Sequence, residues 1–395
     1  MLTLITFILV LAVLVFAHEI GHFFVARRFG VKCDEFGLGY PPRIFGFYKN
    51  TDNKWKWRWG GREVTDAKST VYSLNLIPLG GFVKIKGIED FPGEKPSSDQ
   101  SGGNSFAEQK AWKRAFILSA GVMMNVVLAG IIISIGLMIG MPQLTDDLSS
   151  KAKVGERDVQ VFSVLPNSAA ETAGFKPGDV ILAIDGSDMF SLERLQDYTD
   201  THANQTLRYT IKRMDEQMEK YAVPTMMEDV GRAGIGLSIG EIAMVKYPWY
   251  LAIWEGFKIT FVTFWAIVVA IFGVLKGLLM GQGAESVSGP VGIATMTGQM
   301  ARMGFVYVLQ FTAILSLNLA ILNFLPIPAL DGGRILFLII EKIKGRPVKK
   351  ETEALIHNIG FIILILLIIV ITFKDVSNLG CLSCKISAWW NSIIN

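Results

Sequence analysis

The sequence predicts a polytopic α-helical membrane protein with about four transmembrane helices, whose loops carry a strand-forming element and one small inserted α/β domain. Three observations lead there. Of 395 residues, 51% are hydrophobic and only 18% charged, which is more apolar than a soluble chain of this length requires. The apolar residues gather in runs, several of them close to the roughly 20 residues that cross a bilayer. Residues 141–248 break that pattern, with short β-prone runs separated by turn residues in the manner of a water-facing domain. The net charge of +3 is too small to point to nucleic acid as a partner.

The first apolar run, Leu2 to Ala26, lacks the basic start and small-x-small cleavage site of a secretory signal, and its positive charges, Arg27 and Arg28, follow it. It is expected as a retained helix over 1–26 with its carboxyl end in the cytoplasm. The loop 27–114 holds 16 Lys or Arg against 10 acidic residues, which keeps it on the cytoplasmic side. Within it, Trp55, Trp57 and Trp59 alternate with basic residues, as suits an interfacial strand rather than a surface for stacking nucleic-acid bases. Tyr72 to Gly87 alternates like strands around a Pro/Gly turn, and 91–104, rich in Ser, Gly and Pro, reads as a linker.

A second span is expected over 115–141. Residues 141–248 then carry 17 acidic against 11 basic side chains, fitting the opposite side of the membrane. Strands are expected at 159–164, 180–184, 207–212 and 220–223, with a helix over 192–200. A connecting region, 227–304, contains the apolar stretch Ile259–Leu275 bracketed by Lys258 and Lys276. A third span follows at 305–330, then a basic cytoplasmic loop at 331–354, a fourth span at 355–373 and a tail at 374–395. The Cys381–Cys384 pair in the tail suits either a local disulfide or two untied thiols.

The chemistry concentrates in His18-Glu-Ile-Gly-His22. On a helix, positions i and i+4 share a face, so both imidazoles reach one ion, and Glu19 is placed to take a proton from a water beside it. Two histidines and a glutamate inside an apolar span are costly unless they face a cavity or a metal. A catalytic zinc needs a third protein ligand. Asp331 qualifies, because Pro326 and Pro328 break the preceding helix and free backbone that must face protein or a cavity. Its alternative reading is a cap on the next helix. Both motifs lie near the carboxyl ends of their spans, so those spans must run the same way, with an odd number of crossings between them. The 115–141 helix supplies one. Ile259–Leu275 is therefore expected along the outer interface or as a partial, membrane-associated helix. His202 reads as a surface residue and His357 as a headgroup-zone residue rather than a ligand. A zinc-binding scaffold would have no need of Glu19, and a metal transporter would spread ionisable residues along several spans.

In order along the chain stand His18-Glu-Ile-Gly-His22, Pro78-Leu-Gly-Gly-Phe-Val-Lys, Ser163-Val-Leu-Pro-Asn-Ser-Ala-Ala-Glu-Thr-Ala-Gly-Phe-Lys-Pro-Gly-Asp-Val-Ile-Leu-Ala-Ile-Asp-Gly186, Ser288-Gly-Pro-Val-Gly-Ile-Ala294 and Asn323-Phe-Leu-Pro-Ile-Pro-Ala-Leu-Asp-Gly-Gly-Arg334. Together they resemble the site-2 protease family of intramembrane zinc metalloproteases, in its bacterial RseP-type branch, over nearly the whole chain. The third phrase resembles a PDZ domain, expected over 156–226, of the kind that captures an extended peptide at a sheet edge; a spacer that binds nothing is the alternative. The resemblance implies Zn2+ held by His18, His22 and Asp331, Glu19 as general base, a membrane-associated β element near 70–87, and substrate contact at Asn323 and at Gly80, Gly81 and Phe82. It implies cleavage of membrane-anchored proteins, such as anti-sigma-factor-like chains or remnant signal peptides. The setting would be the bacterial cytoplasmic membrane, with the PDZ-like domain on its outer side. Two departures stand out: there is room for one PDZ-like domain where enterobacterial members carry two, and Ala120-Gly121-Val122 replaces the usual Ala-Gly-Pro, with Asn125 retained.

Overall fold

A computed structural model describes residues 2–61, 64, 66–88, 105–145, 151–165, 167–189, 191–213, 216–227, 231–280, 289–346 and 348–378. The linker expected at 91–104 and the Cys381–Cys384 pair lie outside them. The chain divides into two compact units, one formed by 1–133, 257–301 and 311–395, the other by 134–256 and 302–310.

The first unit opens with α1 (Leu2–Arg28), apolar throughout and closed by Arg27 and Arg28, whose charges suit the negative end of the helix dipole. Gly30 adopts a positive φ of 76°, and the Val31 N–H reaches back to the Ala26 carbonyl at 2.9 Å, a Schellman stop that turns the chain sharply into the next element. That element is a three-stranded sheet of β1 (Cys33–Lys49), β2 (Trp55–Trp59) and β3 (Val71–Ile85), ordered β2-β1-β3. β1 meets β3 twice, through Glu35–Leu38 and again through Arg43–Phe47. The tryptophans of β2 project from the sheet, with Trp59 75% exposed, and pack at a tilt against Phe45 and Phe47. The base of the sheet is pinned to the helices by a core of Phe23, Ala26, Val31, Val83, Ile85, Phe106, Ile117 and Leu338. α2 (Ala111–Ile139) begins in this unit.

In the second unit, β4 (Met141–Leu144), β5 (Lys153–Val164), α3 (Ala169–Ala173), β6 (Val180–Ile184), β7 (Ser187–Asp188), α4 (Leu192–Thr201), β8 (Leu207–Arg213), β9 (Glu216–Ala222), β10 (Thr225–Met227), β11 (Arg232–Gly234) and β12 (Leu237–Lys246) follow in order. The main sheet runs β4-β12-β5-β6-β8-β9, with β7 on β6. Ser168 and Ser191 cap α3 and α4 by accepting from Glu171 and Arg194 backbone N–H groups at 3.2 and 3.3 Å. The buried Asp179 carboxylate accepts two bonds from Arg213 at 2.6 and 2.7 Å, so its charge is paired. The four runs expected as strands fall in β5, β6, β8 and β9. The sheet outgrows the expected 156–226 window, however, because β12 lies between β4 and β5 and its residues 242–245 alternate in burial like a pleated strand.

The chain continues with α5 (Trp249–Leu279), α6 (Pro290–Met303), α7 (Phe305–Phe324), α8 (Asp331–Lys344) and α9 (Lys350–Asn378). Among the described residues, five helices are long and apolar enough to cross a membrane, where four were expected. The added one is α5. Its expected apolar stretch is prolonged at the amino end by Trp249 to Lys258 into one helix of 31 residues, about 46 Å long at the usual rise. Aromatic and aliphatic residues outnumber its few charges, so the helix has no local reason to stop at Lys258.

Candidate metal centre

His18 and His22 sit one turn apart on the buried face of α1. Asp331 begins α8, and its carboxylate turns toward them instead of capping the helix; the cap position is Leu330, which makes no side-chain cap bond. Asp331 Oδ2 lies 3.1 Å from His18 Nε2 and 3.3 Å from His22 Nε2, and the two Nε2 atoms are 3.1 Å apart. This is the one group of at least three such side chains able to hold an ion among the described residues. Four ligands around zinc at roughly 2.0–2.1 Å stand about 3.3 Å from one another, so the triangle already has the dimensions of a tetrahedral face.

The surroundings suit a metal as well. The His22 Nδ1–H donates to the Ile117 carbonyl at 2.8 Å, which leaves the Nε2 lone pair free to bind an ion. His18 Nδ1 lies 3.3 Å from the Asn125 side-chain amide, while the Asn125 Oδ1 is buried without a partner among the described residues. Oxygen and nitrogen of an amide have the same shape. Exchanging them lets Oδ1 accept from His18 Nδ1–H, satisfies the orphaned oxygen and leaves His18 Nε2 for the ion. A metal at the triangle explains both tautomers with one assumption. Space is made by α2: a Cβ on Gly121 would overlap His22 Nε2 and approach His18 Nε2 to 2.8 Å. Ser316 of α7 donates to the Asn125 carbonyl at 2.8 Å, tying α2 to the span that leads to Asp331.

A cavity of about 290 Å³ opens beside His18 and Asp331. Glu19 and Asn323 line it, so the structure gathers four of the polar residues singled out from sequence around one space. Gly80, Gly81 and Phe82 do not line it. They stand behind its wall, where Gly80, with φ at 88°, packs so tightly on α1 that a Cβ would come within 2.7 Å of Val15, itself a lining residue. Two neighbours escaped the sequence reading. Tyr40 of β1 lines the cavity, and nothing in its Gly-Tyr-Pro-Pro context signals a site. Asn125 was seen only as a retained motif residue, although a fully buried amide in an apolar helix is itself a signal. His202 is a partly exposed residue stacked on Tyr198 at 4.2 Å. His357 is not in the triangle; it bonds to the loop before Asp331.

The chain matches the model of peptidase family M50 over residues 6–59 and 62–367. It is 32% identical over 394 residues to a protein of Agrobacterium fabrum provisionally named a zinc metalloprotease, covering 95% of this chain and 96% of that one. It is 30% identical over 452 residues to the regulator of sigma-W protease RasP of Bacillus subtilis, covering 95% and 99% of the two chains. The zinc metalloprotease RasP of Geobacillus kaustophilus is 29% identical over 446 residues, with 95% and 97% covered.

Proposed function

The chain belongs to peptidase family M50, the site-2 proteases, and from that premise we propose that His18, His22 and Asp331 hold its zinc and that Glu19 is its general base. It is a zinc-dependent metalloendopeptidase of the membrane. The observation that carries the assignment of residues is the triangle of 3.1 to 3.3 Å between two imidazoles and a carboxylate, of which His18 and Asp331 lie 313 residues apart in sequence. Zinc, when bound, supplies Lewis acidity to a peptide carbonyl and makes water easier to deprotonate. Glu19, lining the same cavity, takes the proton from the attacking water and hands one to the departing amine. Asn323 holds the substrate's backbone or its reacting carbonyl.

The substrates are single-span membrane proteins or remnant signal peptides, cut within or beside the bilayer. A helical substrate hides its peptide bonds, so it must be drawn out before attack. The strand-forming segment Tyr72–Lys86, which includes Gly80, Gly81 and Phe82, is suited to pair with such an extended chain. Its main-chain groups, rather than the glycines' absent side chains, would carry that contact. The charge pattern supports an active site near the cytoplasmic face and a PDZ-like domain outside. There the domain turns away substrates with bulky outer portions, and its sheet can take an extended peptide.

Purified protein reconstituted with a membrane-anchored reporter tests the reading. Cleavage should stop with a zinc chelator and return with zinc. Glu19→Gln should keep zinc while losing about 10²- to 10⁴-fold in rate, the usual share of a general base. Full cleavage by that variant would remove Glu19 from its role; a reporter cut equally well under chelation would remove the metal.

A further inference from the structure

Asp331 is delivered by a proline-rich loop whose own backbone bonds are few, Ile327 N–H to the Leu325 carbonyl at 2.7 Å and Leu330 N–H to the Ile327 carbonyl at 3.2 Å. Pro326 and Pro328 have no N–H to donate, and Ala329 stands at φ 77°, a left-handed conformation that L residues keep only when their surroundings impose it. Two of the contacts around it come from α9, a helix that supplies no ligand. The Ala329 N–H donates to His357 Nδ1 at 2.9 Å. Three residues on, and therefore on the same helix face, Gly360 meets Pro328 so closely that a Cβ would overlap the proline ring and come within 2.9 Å of its carbonyl carbon and oxygen. The imidazole also rests against Phe337 of α8, the helix that Asp331 begins, with ring centres 5.5 Å apart.

We propose that His357 and Gly360 form a clasp by which α9 fixes the Pro326–Leu330 loop, and so sets the position of the Asp331 carboxylate against the two histidines. A backbone N–H can only donate, so Nδ1 is the lone-pair acceptor, and the ring proton sits on Nε2. Nε2 is buried with no partner among the described residues. An apolar side chain here would avoid the orphaned Nε2 but would leave the Ala329 N–H without its acceptor, so the bond to Ala329 is what the imidazole contributes. Gly360 contributes approach: with any larger residue the helix would stand off from Pro328, and the bond would lengthen. His357 is thus a positioning residue, whose bond falls on Ala329, two positions before the carboxylate it aims. It acts as the outer partners of metal ligands do, by restricting where a ligand can be.

The inference rests on the metal reading above, and its test separates the two. Zinc affinity is measured on the full-length protein in detergent by competition with a chromogenic chelator, alongside cleavage of the anchored reporter. His357→Phe keeps bulk and removes the acceptor, and should weaken zinc binding by about 10- to 100-fold. His357→Asn, whose amide oxygen can stand near the Nδ1 position, should restore most of the loss. Gly360→Val should reproduce the loss without altering any polar group. Should the Phe variant fail to fold, His357→Ala makes the same comparison with space to spare. Wild-type affinity in the acceptor-less variant, or an Asn variant as weak as Phe, would overturn the clasp. A wild-type protein that binds no zinc would instead overturn the metal site on which the clasp depends.

Discussion

At the scale of residues, the centre depends on where polar atoms are left over. The Asn125 side chain is fully buried in α2, and among the described residues the one polar group it meets is the Nδ1 of His18. Asn125→Leu should therefore lower zinc affinity by about 10- to 100-fold while leaving the fold intact, since leucine fits an apolar helix better than an amide does. Unchanged affinity, measured by chelator competition, would show that His18 needs no outer partner. Much of this was legible beforehand. Two histidines at helical spacing in an apolar run, and an aspartate after two prolines, are expensive arrangements that chemistry alone explains. Tyr40 was not legible, because its role depends on a fold-back of β1 that no local pattern announces. Nor was the part played by His357, whose partner is a backbone N–H with no sequence signature at all.

At the scale of elements, the short spans were readable and the long helix was not. Runs of apolar residues mark where α1, α2, α7 and α9 lie, although α7 stops at Phe324, short of the expected 330, and α9 runs five residues past the expected 355–373 at each end. Hydropathy alone marks only the short stretch of α5 after Lys258, and one lysine does not end a helix. The meeting of His18 with Asp331 puts the carboxyl ends of α1 and α7 at one level, which needs an odd number of crossings between them. α2 supplies one. A fully crossing α5 would make the count even unless α6, at 14 residues too short for a span, crossed as well. The account therefore expects both ends of α5 on the outer side. Tyr250→Cys and Lys276→Cys, each in a background with Cys381→Ser and Cys384→Ser, should both be labelled by an impermeant maleimide added outside. Labelling of the two from opposite faces would contradict it. Cys33 can stay in place: it is 2% exposed, and burial pushes its thiol up to about 12, so it should not react.

At the scale of the whole molecule, the chain combines a unit that carries the His18, His22 and Asp331 triangle with a second unit that has its own core of Val159, Ile181, Ile184, Leu207, Tyr209 and Ile211. A unit with its own core can be removed or replaced more readily than one woven through the rest. If the PDZ-like domain screens by size, replacing residues 151–246 with a flexible linker should leave cleavage of a trimmed reporter near its original rate. A reporter with a folded outer domain should then become a substrate. Continued refusal of the bulky reporter would assign the screening elsewhere. The existence of this domain was plain from its turn residues and strand-length runs. Its extent was not, because β12 joins the sheet from beyond the region the resemblance covered.

Whether one ion joins His18, His22 and Asp331 is read by X-ray absorption at the zinc edge on the Glu19→Gln protein, free of interference from turnover. The expected spectrum shows a light-atom shell only, with nitrogen from two imidazoles and oxygen at about 2.0–2.2 Å, and a loss of bound zinc in Asp331→Ala. Sulfur scattering near 2.3 Å, or a spectrum that Asp331→Ala leaves unchanged, would contradict it.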